Sequence, residues 1–199
     1  MTADPNTSPA AAGSAPAPQT PVREDAAPSI HVCCLKEVGG HAAALGPSRL
    51  ISLVPGYEQP ATPPGMPPEN HLRLEIDDIV EPMPGLILPQ AEHVLRLVDF
   101  YGRWNGQTPM LVHCAAGKSR SMAAALVGLA MKADLPEIDI ARRMRQAAPH
   151  ASPNPRIVAL ADDILQREGR LVAALEAMGE AQEIETGPLV TLSLAEAQC

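Results

Sequence analysis

The stretch PMLVHCAAGKSRSM, residues 109–122, decides the reading of this chain. Met110, Leu111 and Val112 form an unbroken apolar run. Such a run suits a strand buried on both faces of a parallel sheet. It ends in His113-Cys114. Five small or flexible residues follow (Ala115, Ala116, Gly117, Lys118, Ser119), then Arg120-Ser121 and a helix-forming segment to about Lys132. Strand, tight loop and helix in that order build an anion cradle. Small residues let successive backbone N–H groups converge on one centre. Gly117 permits a backbone angle that a β-carbon resists. The helix aims its free N–H groups and positive dipole end at the same point. Arg120 adds a planar fork that holds two oxyanion oxygens at once. In that field the Cys114 thiol is expected to ionise easily and act as a nucleophile toward a bound phosphate. Ser121 is placed to hydrogen-bond the sulfur and help it leave again.

Reading outward, SIHVCCL (29–35) is an apolar strand, and EVGGHAAALG (37–46) a short helix ending at Gly46. RLISLVPG (49–56) is a second strand, stopped by Pro-Gly. A proline-rich loop leads to HLRLEI (71–76), whose polar–apolar alternation marks a half-exposed strand. Val94, Leu97, Val98 and Tyr101 recur at helical spacing within residues 90–104. Beyond Lys132, helices are expected from Pro136, after Asn154-Pro155, and over 170–178. PLVTLSL (188–194) reads as an edge strand or a tail. Strands and helices alternate first and helices dominate later. The expected fold is α/β, with a mostly parallel central sheet of four or five strands flanked by helices. Ligands in such sheets bind beyond the carboxyl ends of the strands, where Cys114 lies.

Composition narrows the function. The chain has 199 residues, 46% of them hydrophobic, enough for one globular domain. Residues 1–29 are mostly Pro, Ala, Ser and Thr with little to bury, and are expected to form a disordered arm ahead of a single domain at 30–199, its last twenty or so residues a candidate tail. The arm lacks a basic start and a continuous apolar core, so no secretory signal is expected. No run is long enough to span a membrane. A net charge of −8 argues against nucleic acid and against a bulk anionic membrane surface. The four cysteines, Cys33, Cys34, Cys114 and Cys199, fit neither a zinc site nor a disulfide framework. A reducing, cytoplasmic compartment is the simpler expectation. His31, His41, His71, His93 and His150 show no metal-ligand spacing and read as surface or satisfied polar residues.

The loop resembles the phosphate-binding loop of the protein tyrosine phosphatases, His-Cys-x-x-Gly-x-x-Arg-Ser. The likeness is greatest to the small dual-specificity branch and its bacterial relatives. RRMRQAAPHASPNPRIVALADDIL (142–165) resembles the helix–Pro-Asn–helix end of those relatives, so the likeness covers roughly residues 29–178. It implies a cysteine-phosphatase fold and a phosphocysteine intermediate, with no metal and no cofactor. Cys114 is then the nucleophile, Arg120 the phosphate clamp, Ser121 the aid to hydrolysis, and His113 the residue that orders the loop. The family draws its leaving-group proton from an aspartate on a loop upstream of the cysteine. HLRLEIDDIVEP offers Asp77, Asp78 and Glu81. Asp78 continues the apolar face of Leu72, Leu74 and Ile76 just past the strand, and Asp77 continues the polar face. Asp78 is the preferred acid, with Asp77 and Glu81 as alternatives. Asn154 reads as a helix cap.

The expected substrate is a phosphoprotein or a small phosphorylated molecule: phosphotyrosine, or phosphoserine and phosphothreonine, in proteins. Two features pull against a deep phosphotyrosine pocket. Aromatic residues are few, and of Tyr57, Phe100, Tyr101 and Trp104 only Tyr57 lies on a loop able to reach the site. Lys118 after the loop glycine also occurs in branches that take inositol phosphates, yet Ala115 and Ala116 add no charge, and a solvated rim lysine is the plainer reading. An inositol phosphate or phosphoinositide phosphatase, a phosphate-binding module without turnover, and rhodanese-like sulfur chemistry are the alternatives. Cys33 and Cys34 read as core residues, although some family members protect the nucleophile by a disulfide to a nearby cysteine.

Overall fold

The computed structural model describes residues 28–195. Of the arm expected over residues 1–29, residues 1–27 lie outside the described residues, as does Cys199, while Ser29 is the first residue of a strand. Five strands, β1 (Ser29–Cys34), β2 (Arg49–Leu53), β3 (His71–Leu74), β4 (Met110–Cys114) and β5 (Val190–Ser193), form one sheet in the order β3-β2-β4-β1-β5. The first four are mutually parallel, and β5 runs antiparallel against β1. The segment read as an edge strand or a tail is therefore an edge strand, with Val190 and Leu192 buried and Thr191 and Ser193 exposed. The helices are α1 (Val38–Leu45), α2 (Ala91–Gly102), α3 (Arg120–Lys132), α4 (Glu137–Ala147), α5 (Pro155–Ile164) and α6 (Arg170–Ala177).

β4 is the central strand and is buried throughout, as its unbroken apolar run requires. Its alternation divides the molecule. Met110, Val112 and Cys114 face the large core shared with α2–α6, while Leu111 faces the thin side with Cys33, Val38, Ala42 and Leu50 beneath α1. α3 is apolar nearly all round and is buried from Arg120 to Ala130, which places it under the sheet as the core helix. Gly128 makes that packing possible. A β-carbon there would come within 2.4 Å of the Tyr101 ring and 2.8 Å of Ile30. The Tyr101 hydroxyl in turn donates to the Ala124 carbonyl at 2.9 Å, which satisfies a buried polar group.

The helix ends follow the sequence signals. Gly46 closes α1 in the left-handed conformation, with φ 56°. Asn154 caps α5, its side chain accepting from the amides of Arg156 and Ile157, with Pro155 in the first turn. Among the described residues, no helix is long and apolar enough to cross a membrane. Because β1, β2 and β4 run in parallel, Cys34, Leu53 and Cys114 end side by side on one edge of the sheet. The site lies on that edge.

Candidate active site

Cys114 is the last residue of β4 and is 1% exposed. The Ser121 hydroxyl lies 3.1 Å from its sulfur, and the Gly117 amide donates to it at 3.3 Å. The loop between them is shaped by where its carbonyls go. Ala115 O accepts from Leu35 at 3.1 Å, Ala116 O from Gly187 at 2.8 Å, and Lys118 O from Ser152 at 2.9 Å. Ser119 O accepts from Ala123 at 2.8 Å and from Asn154 at 3.4 Å. With these carbonyls bound outward, the amides of Ala115, Ala116, Lys118, Ser119 and Arg120 make no backbone hydrogen bond among the described residues. A ring of free N–H groups beside a sulfur has the chemistry to hold an anion. Gly117 is required there twice over. Its φ is 73°, and a β-carbon would meet the Cys33 and Cys34 backbone at 2.9–3.0 Å.

Arg120 opens α3 and is buried. Its Nη1 donates to Ile76 O at 2.8 Å, which ties the guanidinium to the segment carrying the candidate acid. Its Nε has no hydrogen-bond partner among the described residues. A buried guanidinium N–H that makes no hydrogen bond, beside free amides, suits an incoming oxyanion.

The three candidate carboxylates separate cleanly. Asp78, 39% exposed at its side chain, reaches the loop. Its Oδ1 accepts from Ser119 Oγ at 2.7 Å and Asn154 Nδ2 at 2.9 Å, and its Oδ2 lies 3.9 Å from Arg120 Nε. Asp77 is turned to its own loop, exchanging bonds with the Ile87 backbone through both its amide and its carboxylate. Glu81 is exposed and makes no ion pair or hydrogen bond among the described residues. The cap residue Asn154 has a second task that the sequence reading missed. The same amide that starts α5 holds Asp78 with its nitrogen, across 76 positions of chain.

Several side chains differ from their expected settings. Lys118 is not a free rim lysine: its ammonium donates to the Ile184 carbonyl, pinning the loop to the segment before β5. His150 is buried, packs against Gly187 and leaves Nε2 without a partner among the described residues. Tyr57 is 86% exposed on the turn Gly56–Glu58. Cys33 and Cys34 are both buried; burial pushes the Cys33 thiol up to about 12, so it stays protonated and inert. Among the described residues, no three His, Cys, Asp or Glu side chains cluster as a metal site would.

His113 faces the thin side of the sheet, wholly buried, with Nε2 2.6 Å from Ser52 Oγ. Ser52 also meets His71 Nε2 at 2.8 Å. Burial lowers both His71 and His113 to about 4, so the rings are neutral. The unfolded chain takes up those protons near 6.5, the folded chain only near 4. Between these values the unfolded state binds more protons, so stability falls as the pH falls. Urea unfolding is expected to give a free energy lower at about pH 5 than at about pH 7 by roughly 2 kcal/mol per ring. Burial of His31, His93 and His150 acts in the same direction. Equal stability at the two pH values would contradict burial of neutral rings.

No protein-family model matches the sequence, and a comparison with curated proteins finds no match. Solved structures do match. Human DUSP28 superposes with a TM-score of 0.55 at 21% identity, covering 71% of this chain and 96% of that one. DUSP15 gives 0.53 at 19% identity, covering 82% and 97%. PTPMT1 gives 0.50 at 18% identity, covering 74% and 97%. The sheet order, the buried cysteine at the end of its central strand and these superpositions agree: the chain has the cysteine-phosphatase fold of the dual-specificity phosphatases.

Proposed function

We propose that this chain is a cysteine-dependent phosphatase that hydrolyses phosphate monoesters of phosphoproteins through a phosphocysteine intermediate. The observation that carries this reading is the Cys114 sulfur, set among the backbone amides of residues 115–120, with Arg120 and Asp78 converging on the same loop. The known activities of proteins with this fold point the same way.

In the first step the Cys114 thiolate attacks phosphorus and the bond to the leaving oxygen breaks. Asp78 gives that oxygen its proton. The loop amides and Arg120 hold the three non-bridging oxygens, whose charge they match in the transition state. In the second step Asp78 takes a proton from water as the water oxygen attacks phosphorus. The sulfur–phosphorus bond breaks, and the Ser121 hydroxyl donates to the departing thiolate. The products are inorganic phosphate and the restored enzyme.

The loop's one lysine favours a phosphoprotein over an inositol polyphosphate. Lys118 is spent on the Ile184 carbonyl, and Ala115 and Ala116 supply no charge in its place. The test is hydrolysis of p-nitrophenyl phosphate with a chelator present. Turnover that survives chelation and is inhibited by vanadate is expected, with phosphopeptides cleaved in preference to inositol phosphates. Absence of turnover, with phosphate still raising the melting temperature, would reduce the site to a binding module.

A further inference from the structure

The loop between β3 and α2, which carries Asp78, is unlike the rest of the surface. Of the six exposed large apolar side chains among the described residues, four lie on it within eight positions: Val80, Met83, Leu86 and Ile87, each 41–53% exposed. Exposed apolar residues scattered singly are ordinary, whereas a contiguous group marks a contact surface. Pro82 and Pro84 are exposed between them, and Glu81 is the single charge in the run 80–87.

The loop holds its shape without burying these side chains. Its ends are tied together: the Asp77 amide donates to Ile87 O at 2.8 Å, and the Ile87 amide donates to Asp77 Oδ2 at 2.8 Å. Its tip is a Pro84-Gly85 turn, with Gly85 at φ 79° and the Leu86 amide donating to Met83 O at 3.2 Å. α5 anchors its far end through Arg156 Nε, which donates to Pro89 O at 2.6 Å. Apolar surface presented on a fixed turn costs little ordering entropy when a partner binds. Asp78 seats the same loop against Ser119 and Asn154, beside the phosphate loop. Val80 follows Asp78 by two residues, so their Cα atoms are at most about 7.6 Å apart. An extended peptide advances about 3.3 Å per residue, so a side chain about two to four positions from a bound phosphorylated residue reaches this surface.

Charge selects the occupant. Between β2 and α2, residues 54–90 carry six carboxylates (Glu58, Glu69, Glu75, Asp77, Asp78 and Glu81) and one arginine. That arginine, Arg73, is turned to Pro60 O and Thr62 Oγ1, and Arg156 is turned to Pro89 O. An acidic surface of this kind repels anionic lipid headgroups and attracts cationic side chains. We propose that residues 80–87 are a docking surface for the polypeptide that flanks the phosphorylated residue, selecting an apolar side chain near that residue together with a lysine or arginine. Its effect on turnover rests on the phosphatase reading above; the docking itself is a binding property and is measured as one.

The test uses the full chain carrying Cys114→Ser and fluorescein-labelled peptides with one phosphotyrosine. The peptides carry leucine or serine three residues to either side of the phosphotyrosine, and lysine or glutamate at the next positions out. With lysine present, the leucine peptide is expected to bind on the order of tenfold more tightly than the serine peptide. Glutamate in place of lysine should weaken binding several-fold, an effect that salt at about 0.5 M should largely screen while the leucine preference persists. Met83→Ser combined with Leu86→Ser should abolish most of the leucine preference and leave the charge effect. The wild-type chain should show the same leucine preference in kcat/KM. Equal binding of the leucine and serine peptides by the folded chain would overturn the proposal. So would a double variant that weakens every peptide alike and keeps the ratio, since these side chains would then have a structural role only. Vesicles of phosphatidylcholine with about 30% phosphatidylserine are expected to sediment none of the chain. Sedimentation that the double variant loses would overturn the proposal in favour of a lipid surface. A leucine preference in binding, with no peptide hydrolysed by wild type, would keep the docking surface and sink the phosphatase reading.

Discussion

Cys114→Ser is expected to lower p-nitrophenyl phosphate turnover by on the order of 10⁴-fold or more while leaving phosphate binding intact. The reason is a division of labour within the loop. The sulfur makes the covalent bond, but the amides of residues 115–120 and Arg120 do the holding. A serine hydroxyl keeps the size and hydrogen-bonding position of the thiol and loses its nucleophilicity at neutral pH. The folded variant should therefore bind vanadate or phosphate and show the thermal stabilisation that mass action requires, without product. Arg120→Lys should lose both. A point charge replaces a fork that spans Ile76 O and the anion site at once, so binding weakens along with turnover. A Cys114→Ser variant that retained more than a few per cent of activity would remove the covalent step from the account.

Asp78→Asn is expected to cost roughly 10²–10⁴-fold in kcat, the usual worth of a general acid. The loss should grow with the basicity of the leaving group. p-Nitrophenol leaves readily without a proton, whereas a tyrosine or serine oxygen needs one. The Asn variant keeps an oxygen for the Ser119 and Asn154 donors, so the acid loop stays docked and KM should hold. Asp77→Asn should by contrast leave kcat near wild type, since that carboxylate is engaged with the Ile87 amide and not with the phosphate loop. Asn154→Ala should fall between the two. It removes one of the donors that hold Asp78 and uncaps α5, so a fall in kcat would come with a stability loss of about 1 kcal/mol. Equal effects of Asp77→Asn and Asp78→Asn would show that the acid had been assigned by proximity alone.

Much of this was legible before any coordinates. A strand, a small-residue loop and a helix around Cys114 have few ways to fold, and each local signal agreed with the next. The apolar run of β4 required a central position, and Gly117 required a tight turn between the strand and the helix that Arg120 opens. Alternation along HLRLEI separated Asp78 from Asp77 because a strand's side chains take opposite faces, and the structure sends the two carboxylates to different partners. Pro-Asn at 153–154 gave a cap, and the cap is there.

What the sequence withheld has one physical character: each is a contact between residues far apart in the chain. Nothing local says that β4 lies between β1 and β2, or that β5 returns antiparallel beside β1. Nothing near Asn154 says that its nitrogen meets Asp78, and nothing near Lys118 says that its ammonium meets Ile184. His71, read as a surface or satisfied polar residue, is satisfied by Ser52 and Thr62, and nothing near it in the chain names those partners. One signal was present and unused: a single serine amid the buried apolar residues of β2 has to find a partner or cost several kcal/mol. Its partners are the two histidines.

The most direct test of the central claim is to catch the intermediate. Wild type and Ser121→Ala are mixed with substrate, quenched in acid within the first turnovers, digested and weighed by mass spectrometry. The account predicts a peptide containing Cys114 that carries the mass of one phosphoryl group. It should accumulate further in Ser121→Ala, where the departing thiolate loses its hydroxyl partner at 3.1 Å, and be absent in Cys114→Ser. Turnover in wild type with no phosphoryl group on Cys114 in either protein would contradict it.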